Sequence, residues 1–170
     1  MAARRIGIVL VLMVAQVELQ IDGKCYKAGT KCPPPWLAWD NHCYLTVGMA
    51  GNPANFDGAA RFCQQFSKPD GRSAHLASIN SEEENQFMRS YATASGISVL
   101  WIGYRYDETK RRFSWIDGTG DGGYENWMDG SPDGRARSED CAFVLVHGSW
   151  VDGWCSDVKG FVCKMLLQEK

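Results

Sequence analysis

An uninterrupted apolar run stands near the amino terminus of the chain. Ile6 to Ala15 is apolar throughout apart from the small Gly7, and Arg4 and Arg5 precede it. A basic segment, a short apolar run and a more polar continuation are typical of a secretory signal peptide. A membrane-spanning helix needs about 20 apolar residues, so an uncleaved anchor is the less favoured alternative. We predict a signal peptide over residues 1–20, with cleavage between Ala15 and Gly23.

Two later stretches repeat apolar residues at helical spacing. The first begins after Asn55, a suitable N-cap residue, and its apolar face consists of Ala59, Ala60, Phe62, Cys63 and Phe66. The second begins after Ser81, and Glu84 three residues later predicts a capping box. Its buried side is predicted to carry Phe87, Met88 and Tyr91.

Shorter apolar or alternating stretches predict strands. They are Cys43–Leu45, His75–Ile79, Val99–Tyr104, Phe113–Ile116, Cys141–Val146 and Phe161–Met165. Three prolines at 33–35 exclude a helix there and predict an extended segment that pairs with the first strand. The glycine-rich segment from Asp117 to Ser138 predicts a long loop, and such loops usually carry function. The order of elements indicates an α+β fold.

Composition favours an exported binding protein over a nucleic-acid-binding one. Without residues 1–20 the chain carries 16 basic and 19 acidic residues, whereas a nucleic-acid footprint needs a basic face. Seven cysteines in a short chain with a predicted export signal indicate disulfides formed in an oxidising compartment. Six of them have fifteen possible pairings, and one is left over.

The residues do not indicate an enzyme. The three histidines, His42, His75 and His147, have neither metal-ligand spacing nor the setting of a catalytic base. The sequence contains no Gly-x-Ser-x-Gly turn and no glycine-rich phosphate loop between a strand and a helix. We therefore predict binding without catalysis.

Several motifs occur together from Cys32 to Lys164. They are Cys32-Pro33 with Trp36, Cys43-Tyr44, Leu100-Trp101-Ile102-Gly103, Asn126-Trp127, Ser131-Pro132-Asp133, Glu139-Asp140-Cys141, Trp150-Val151-Asp152 and Cys155. In this combination they resemble the C-type lectin domain family in its long form. The resemblance implies a domain over residues 32–166, with two helices, antiparallel sheets, a long functional loop and a short arm at 21–31 before it. Trp101, Trp115, Trp127 and Trp150 are interpreted as core residues.

The resemblance also implies three disulfides, Cys32–Cys43, Cys63–Cys163 and Cys141–Cys155. The second of these closes the longest loop, and in the chain-entropy model a 100-residue loop contributes about 4.7 kcal/mol. Cys25 remains over. It resembles an unpaired cysteine with which some members of the family link two chains, so a disulfide-linked homodimer is one expectation; a capped thiol on the arm is the other.

Members of the family hold one Ca²⁺ in the long loop, where it also binds sugar hydroxyls. The matching positions here are Ser131, Asp133, Glu139, Val151 and Asp152, with a cis peptide bond expected before Pro132. Calcium prefers six to eight oxygen ligands. Ser131 replaces a longer carboxylate or amide and Val151 replaces an asparagine, so neutral ligands are lost. The three carboxylates remain, and we expect a single, weakened calcium site in which Ser131 assists.

The resemblance also indicates which sugar the site would prefer. Asp133 resembles the galactose-preferring pattern, although the segment 134–137 offers no aromatic ring to stack on a sugar. Trp154 is interpreted either as that ring or as a core residue. Arg135 and Arg137 are interpreted as solvated loop charges rather than contacts to an anionic glycan. A secondary calcium site of the family is expected to be lost, because Tyr106 and Lys110 occupy its acidic positions while Asp107 and Glu108 are shifted.

The sequence therefore predicts a secreted, calcium-dependent carbohydrate-binding protein whose sugar and metal ligands are Ser131, Asp133, Glu139 and Asp152. The alternative is a lectin-like domain that binds a protein or another surface without calcium. Val151 and Ser131 are the residues that favour this alternative.

Overall fold

The computed structural model describes residues 18–21, 24–27, 32–48, 50–67, 73–120, 123–133 and 139–167. Within these ranges no helix is both long and apolar enough to cross a membrane. The apolar run of the predicted signal peptide lies outside the described residues, so the leader remains a prediction.

A short antiparallel ribbon precedes the domain. Strand β1 (Glu18–Ile21) pairs with strand β2 (Lys24–Lys27), and Gln20 is opposite Cys25. The sequence predicts no regular element here, because it places these residues in the end of the leader and in a polar arm. The pairing of these two four-residue strands is therefore a difference from the prediction.

One mixed sheet forms the body of the domain. Its eight strands are β3 (Leu37–Trp39), β4 (His42–Val47), β5 (Ala74–Leu76), β6 (Val99–Asp107), β7 (Arg112–Trp115), β8 (Cys141–Leu145), β9 (Trp150–Gly153) and β10 (Gly160–Leu166). Along the sheet the order is β3-β4-β10-β6-β8-β9, with β5 paired to β10 and β7 paired to β6. The β10–β6 pair is parallel and the others are antiparallel. This confirms the α+β class.

Both predicted helices are present, with their predicted caps. Helix α1 (Phe56–Gln64) begins after Asn55, whose side-chain oxygen accepts a hydrogen bond from the Gly58 amide at 2.9 Å. Helix α2 (Glu82–Ala94) begins after Ser81, whose hydroxyl accepts from the Glu84 amide at 3.1 Å. Each cap satisfies one of the amides that a helix leaves unpaired at its start.

The capping-box carboxylate has a role that the local pattern does not reveal. Glu84 is buried, and its Oε2 accepts from the amide of Asn80 rather than from that of Ser81. Its Oε1 accepts from the Tyr44 hydroxyl and from Lys164 Nζ, each at 2.6 Å. This carboxylate therefore joins α2 to β4 and β10 through a buried ion pair.

The apolar core packs on both sides of the central strands. Phe87, Met88, Ile102 and Trp150 belong to the cluster beneath α2, and Phe56, Cys63 and Trp101 belong to the cluster beneath α1. Trp101, Trp115 and Trp150 are buried, as predicted, whereas Trp127 and Tyr91 are only half-buried. Three disulfides, Cys32–Cys43, Cys63–Cys163 and Cys141–Cys155, are formed, with the pairing that the resemblance implies.

Candidate metal centre

The hairpin of β8 and β9 brings two of the predicted site residues together. Ala142 is opposite Asp152 in the register of the two strands, so the start of β8 lies beside the end of β9. Glu139 comes two residues before β8 begins. The Cys141–Cys155 disulfide joins the same two strand ends. The separation of Glu139 from Asp152 is thus fixed by hydrogen bonding and by a covalent link.

The segment from Asn126 to Met128 lies along the free edge of β9. The Trp150 amide donates to the Asn126 carbonyl at 2.7 Å, and the Met128 amide donates to the Trp150 carbonyl at 2.8 Å. Trp127 pairs with Trp150 in a parallel bridge, and its ring packs against Phe113 at 5.0 Å between centroids. The base of the long loop is therefore built as an additional short strand.

A turn then brings Asp133 back to β9. The Ser131 amide donates to the Met128 carbonyl at 2.8 Å, and the Ser131–Pro132 peptide bond is cis, as predicted. The Asp133 amide donates to Asp152 Oδ2 at 3.0 Å. This hydrogen bond places the third acidic residue beside the other two.

The three carboxylates form one cluster. Asp133, Glu139 and Asp152 each present an oxygen, and these oxygens lie within 4.8 Å of one another. Asp133 is exposed, Glu139 is half-buried and Asp152 is 8% exposed, so the cluster is open to solvent on one side only. Three carboxylate oxygens and no thiol or imidazole make a donor set that fits a hard divalent cation such as Ca²⁺. Within the described ranges this is the one group of its kind.

Ser131 and Val151 are the two uncharged positions of the predicted site, and neither belongs to the cluster of three carboxylates. Ser131 is half-buried in the turn that leads to Asp133. Val151 is half-buried and lies opposite Phe143 in the β8–β9 pair, and it brings an apolar side chain where the family pattern expects an oxygen. Arg135 and Arg137 lie outside the described residues, so their role as solvated charges stays a prediction.

The region of the expected secondary calcium site is occupied by a turn. Asp107 Oδ1 accepts the amides of Thr109 and Lys110 at 2.8 and 3.2 Å, and these bonds, chiefly that from Lys110, lower the pKa of the Asp107 carboxyl. Lys110 Nζ lies 3.7 Å from Asp107 Oδ2. Both oxygens of this carboxylate thus have partners in the protein.

Trp154 is not a core residue. Its side chain is 47% exposed, two positions after Asp152, and Met128 on the neighbouring segment is 40% exposed. Of the two interpretations made from the sequence, burial is therefore wrong. An exposed tryptophan ring is a suitable surface for the apolar face of a ligand.

Some supporting residues were missed at the level of sequence. Asn85 of α2 accepts a hydrogen bond from Trp150 Nε1 at 3.0 Å, and its Nδ2 donates to the Gly148 carbonyl at 3.0 Å. Asn126 Nδ2 donates to the same carbonyl at 2.9 Å. The one available signal was an amide side chain within the apolar face of α2, since a buried amide needs partners.

A family model described as "Lectin C-type domain" matches residues 52–165. The match covers α1 and α2, the strands from β5 to β10 and all three acidic residues of the cluster. The chain belongs to the C-type lectin domain family.

Known members of the family resemble it over most of its length. Snaclec 3 of Sistrurus catenatus edwardsii is 34% identical over 140 residues, 78% of this chain and 83% of the relative. Echinoidin of Heliocidaris crassispina is 29% identical over 149 residues, 81% and 99% of the two chains. The crystal structure of the C-type lectin CEL-I from Cucumaria echinata superposes with a TM-score of 0.72 at 26% identity, over 81% of this chain and 99% of that one.

Proposed function

We propose that this protein binds carbohydrate through a Ca²⁺ ion held by Asp133, Glu139 and Asp152, with Ser131 assisting. The observation that carries the proposal is the convergence of three carboxylate oxygens within 4.8 Å at the end of the β8–β9 hairpin. A C-type lectin is among the structures that this fold resembles. The described residues of this site offer carboxylates as cation ligands and no nucleophile paired with a base, so we propose binding and not catalysis.

The chemistry of the site explains why the ion and the sugar would share it. Calcium accepts six to eight oxygens, and three carboxylates leave room for further ligands. When bound, the ion supplies a positive centre that sugar hydroxyls can approach in place of water. Carboxylates around it accept hydrogen bonds from the same hydroxyls. The loss of neutral ligands at Ser131 and Val151 is expected to weaken the affinity for calcium without abolishing it.

The proposed sugar class is galactose rather than mannose. Asp133 provides the galactose-type motif, and Trp154, two positions after Asp152 in the sequence, has an exposed apolar ring. Retention on immobilised galactose and immobilised mannose, each eluted with a chelator, tests this preference. Equal retention on both, or retention on mannose alone, would contradict it.

Calorimetric titration with calcium is the first test of the metal. One saturable site between about micromolar and millimolar affinity is expected. Glu139→Gln should remove that binding and the chelator-sensitive retention on sugar, because one of three negative ligands is lost. Glu108→Gln is the matched control, since it removes one carboxylate from an exposed turn.

The alternative remains a lectin-like surface that recognises a protein without calcium. Val151, an apolar residue beside Asp152, favours it. In that case calcium produces neither heat nor a change in melting temperature, and Glu139→Gln leaves ligand binding unchanged. These outcomes would exclude the calcium-dependent function.

Secretion and dimerisation belong to the same proposal. Three disulfides are typical of an oxidising compartment, and Cys25 is available in sequence for a link between chains. Expression in a eukaryotic cell should release a protein that lacks its first 15 to 23 residues, as measured by intact mass. Non-reducing electrophoresis should show a dimer that Cys25→Ser converts to monomer; a monomer in both would refute the link.

A further inference from the structure

A second set of polar contacts lies between α2 and the base of the long loop. The Tyr124 hydroxyl donates a hydrogen bond to Glu82 Oε2 at 2.5 Å, and the Tyr124 ring packs edge-on against Trp150 at 5.7 Å. Glu82 Oε1 accepts from Gln86 Nε2 at 3.0 Å, which orients the carboxylate. Burial, and then the hydrogen bond to Glu82, raise the pKa of the Tyr124 phenol, so it remains a donor.

Helix α2 reaches the same region through Asn85, three residues after Glu82. Residues three apart share one face of a helix, and the buried Asn85 binds both Trp150 and the Gly148 carbonyl. Asn126, two residues after Tyr124, donates to the same carbonyl. One face of α2 therefore holds both the loop and the turn between β8 and β9.

These contacts continue to the acidic cluster. Trp150 binds Met128 through its carbonyl, Met128 binds Ser131, and the Asp133 amide binds Asp152. The series is made of packed rings and hydrogen bonds at 2.7 to 3.0 Å. These contacts connect Tyr124 with Asp133 although Tyr124 makes no hydrogen bond to Asp133, Glu139 or Asp152 among the contacts described.

We propose that the Tyr124–Glu82 pair is a latch that positions the long loop for calcium binding, so that both are positioning residues of the site. This inference rests on the proposed function. The physical reason is pre-organisation: a loop already held by α2 loses less conformational freedom when the ion binds. Without the latch, calcium binding also has to order the loop. The free-energy cost of that ordering offsets part of the binding free energy, so the affinity for calcium falls.

Tyr124→Phe is the cleanest test, because it removes only the hydroxyl and keeps the ring against Trp150. Loss of one partly exposed hydrogen bond to a charged acceptor should raise the calcium dissociation constant about three- to tenfold. The matched control is Tyr91→Phe, the same change on α2 at a ring that stacks on Phe87. It should leave the calcium dissociation constant unchanged. Both variants should melt close to the parent protein without calcium.

A conservative substitution of Glu82 distinguishes a role in positioning the loop from a general role in stabilising the fold. Glu82→Gln retains an oxygen that can accept from Tyr124 and should weaken calcium binding less than Glu82→Ala does. A double variant, Tyr124→Phe with Glu82→Ala, should be little weaker than Glu82→Ala alone, because the two residues act through one bond. Additive effects would overturn the latch.

Hydrogen exchange in calcium-free protein keeps this inference distinct from the calcium site. The amides of Met128, Ser131 and Asp133 should exchange faster in Tyr124→Phe than in Tyr91→Phe. If the parent protein binds no calcium, the proposed function fails, yet this comparison still decides whether the latch holds the loop. Equal exchange in the two variants would overturn it.

Discussion

At the residue scale, the buried pair of Glu84 and Lys164 is the most consequential contact outside the site. Both side chains are less than 10% exposed, and the carboxylate and ammonium lie 2.6 Å apart. Two charges removed from water are stable only if each has its partner. The Tyr44 hydroxyl donates a further hydrogen bond to Glu84, and the Ser78 carbonyl accepts one from Lys164. No local pattern could predict this pair, because its members are 80 positions apart.

Glu84→Gln is therefore expected to lower the free energy of unfolding by about 3 to 5 kcal/mol, since it leaves the Lys164 charge buried and uncompensated. The exposed substitution Glu108→Gln should change it by less than about 0.5 kcal/mol. Urea denaturation of both variants gives the comparison. Combining Glu84→Gln with Lys164→Met should recover part of the loss, and similar midpoints for Glu84→Gln and Glu108→Gln would refute this account.

His42 is expected to make the stability of the folded protein depend on pH. Burial, and then the charge of Lys164, lower the pKa of His42 from its ordinary value of 6.5. The unfolded chain thus takes up a proton near pH 6.5, whereas the folded protein does so only at lower pH. The unfolded state binds more protons in that interval, so stability falls as pH falls below about 6.5.

Replacement by an uncharged residue should remove that contribution. His42→Gln is expected to show a smaller loss of stability between about pH 7.5 and about pH 5.5 than the parent protein. The control is His147→Gln, the same substitution at an exposed position. Urea midpoints at the two pH values measure it, and equal slopes in all three proteins would exclude His42 as the source.

At the element scale, the helices were predictable, whereas strand β9 and the ribbon of β1 and β2 were not. Asn55 and Ser81 mark the starts of α1 and α2 through local hydrogen bonds, so their positions follow from nearby residues. Strand β9 is not among the strands that the sequence predicts, because Trp-Val-Asp-Gly has neither the length nor the apolar alternation of a typical strand. Its pairing with β8 and with residues 126–128 supplies what the local pattern lacks.

The hairpin of β8 and β9 also leads to a prediction about its disulfide. Replacing Cys141 and Cys155 by serine removes a link across 14 residues, for which the chain-entropy model gives about 3 kcal/mol of stability. Because the link joins the strand ends that carry Glu139 and Asp152, calcium affinity should fall as well. Denaturation and calcium titration measure the two effects.

The pair Cys32 and Cys43 is the control for the disulfide prediction. It spans 11 residues, from Cys32 before β3 to Cys43 on β4, at the other end of the sheet order. Its replacement by serine should cost similar stability but leave calcium affinity unchanged. A loss of affinity in both variants would show that the β8–β9 link has no particular role in the site.

At the scale of the whole molecule, calcium should stabilise the fold. A ligand that binds only the folded protein raises the free energy of unfolding by mass action, about 2.7 kcal/mol at one hundred times its dissociation constant. Thermal unfolding with calcium, with magnesium and with a chelator measures this. Calcium should raise the melting temperature more than magnesium does, because the smaller ion demands a stricter geometry. No difference between calcium and chelator would contradict the site.

Fold and site differ in how far the sequence determines them. The family resemblance rests on motifs spread from Cys32 to Lys164, and it implied the disulfides and the acidic trio that the structure brings together. The support behind the site was not foreseen. Glu82 and Asn85 contact residues 42 and 65 positions away, and only the assembled fold makes them neighbours.

The position of the domain's carboxyl end has a consequence for how copies could be displayed. Leu166 is opposite His42, and the Leu167 amide donates to the Asn41 carbonyl at 2.8 Å. In the sheet order, β9 with Asp152 lies four strand spacings from β4, about 19 Å. A stalk attached after Leu167 would therefore join the domain away from the three carboxylates. If the proposed site binds sugar, several copies on such a stalk would combine individually weak contacts into avidity for a multivalent surface.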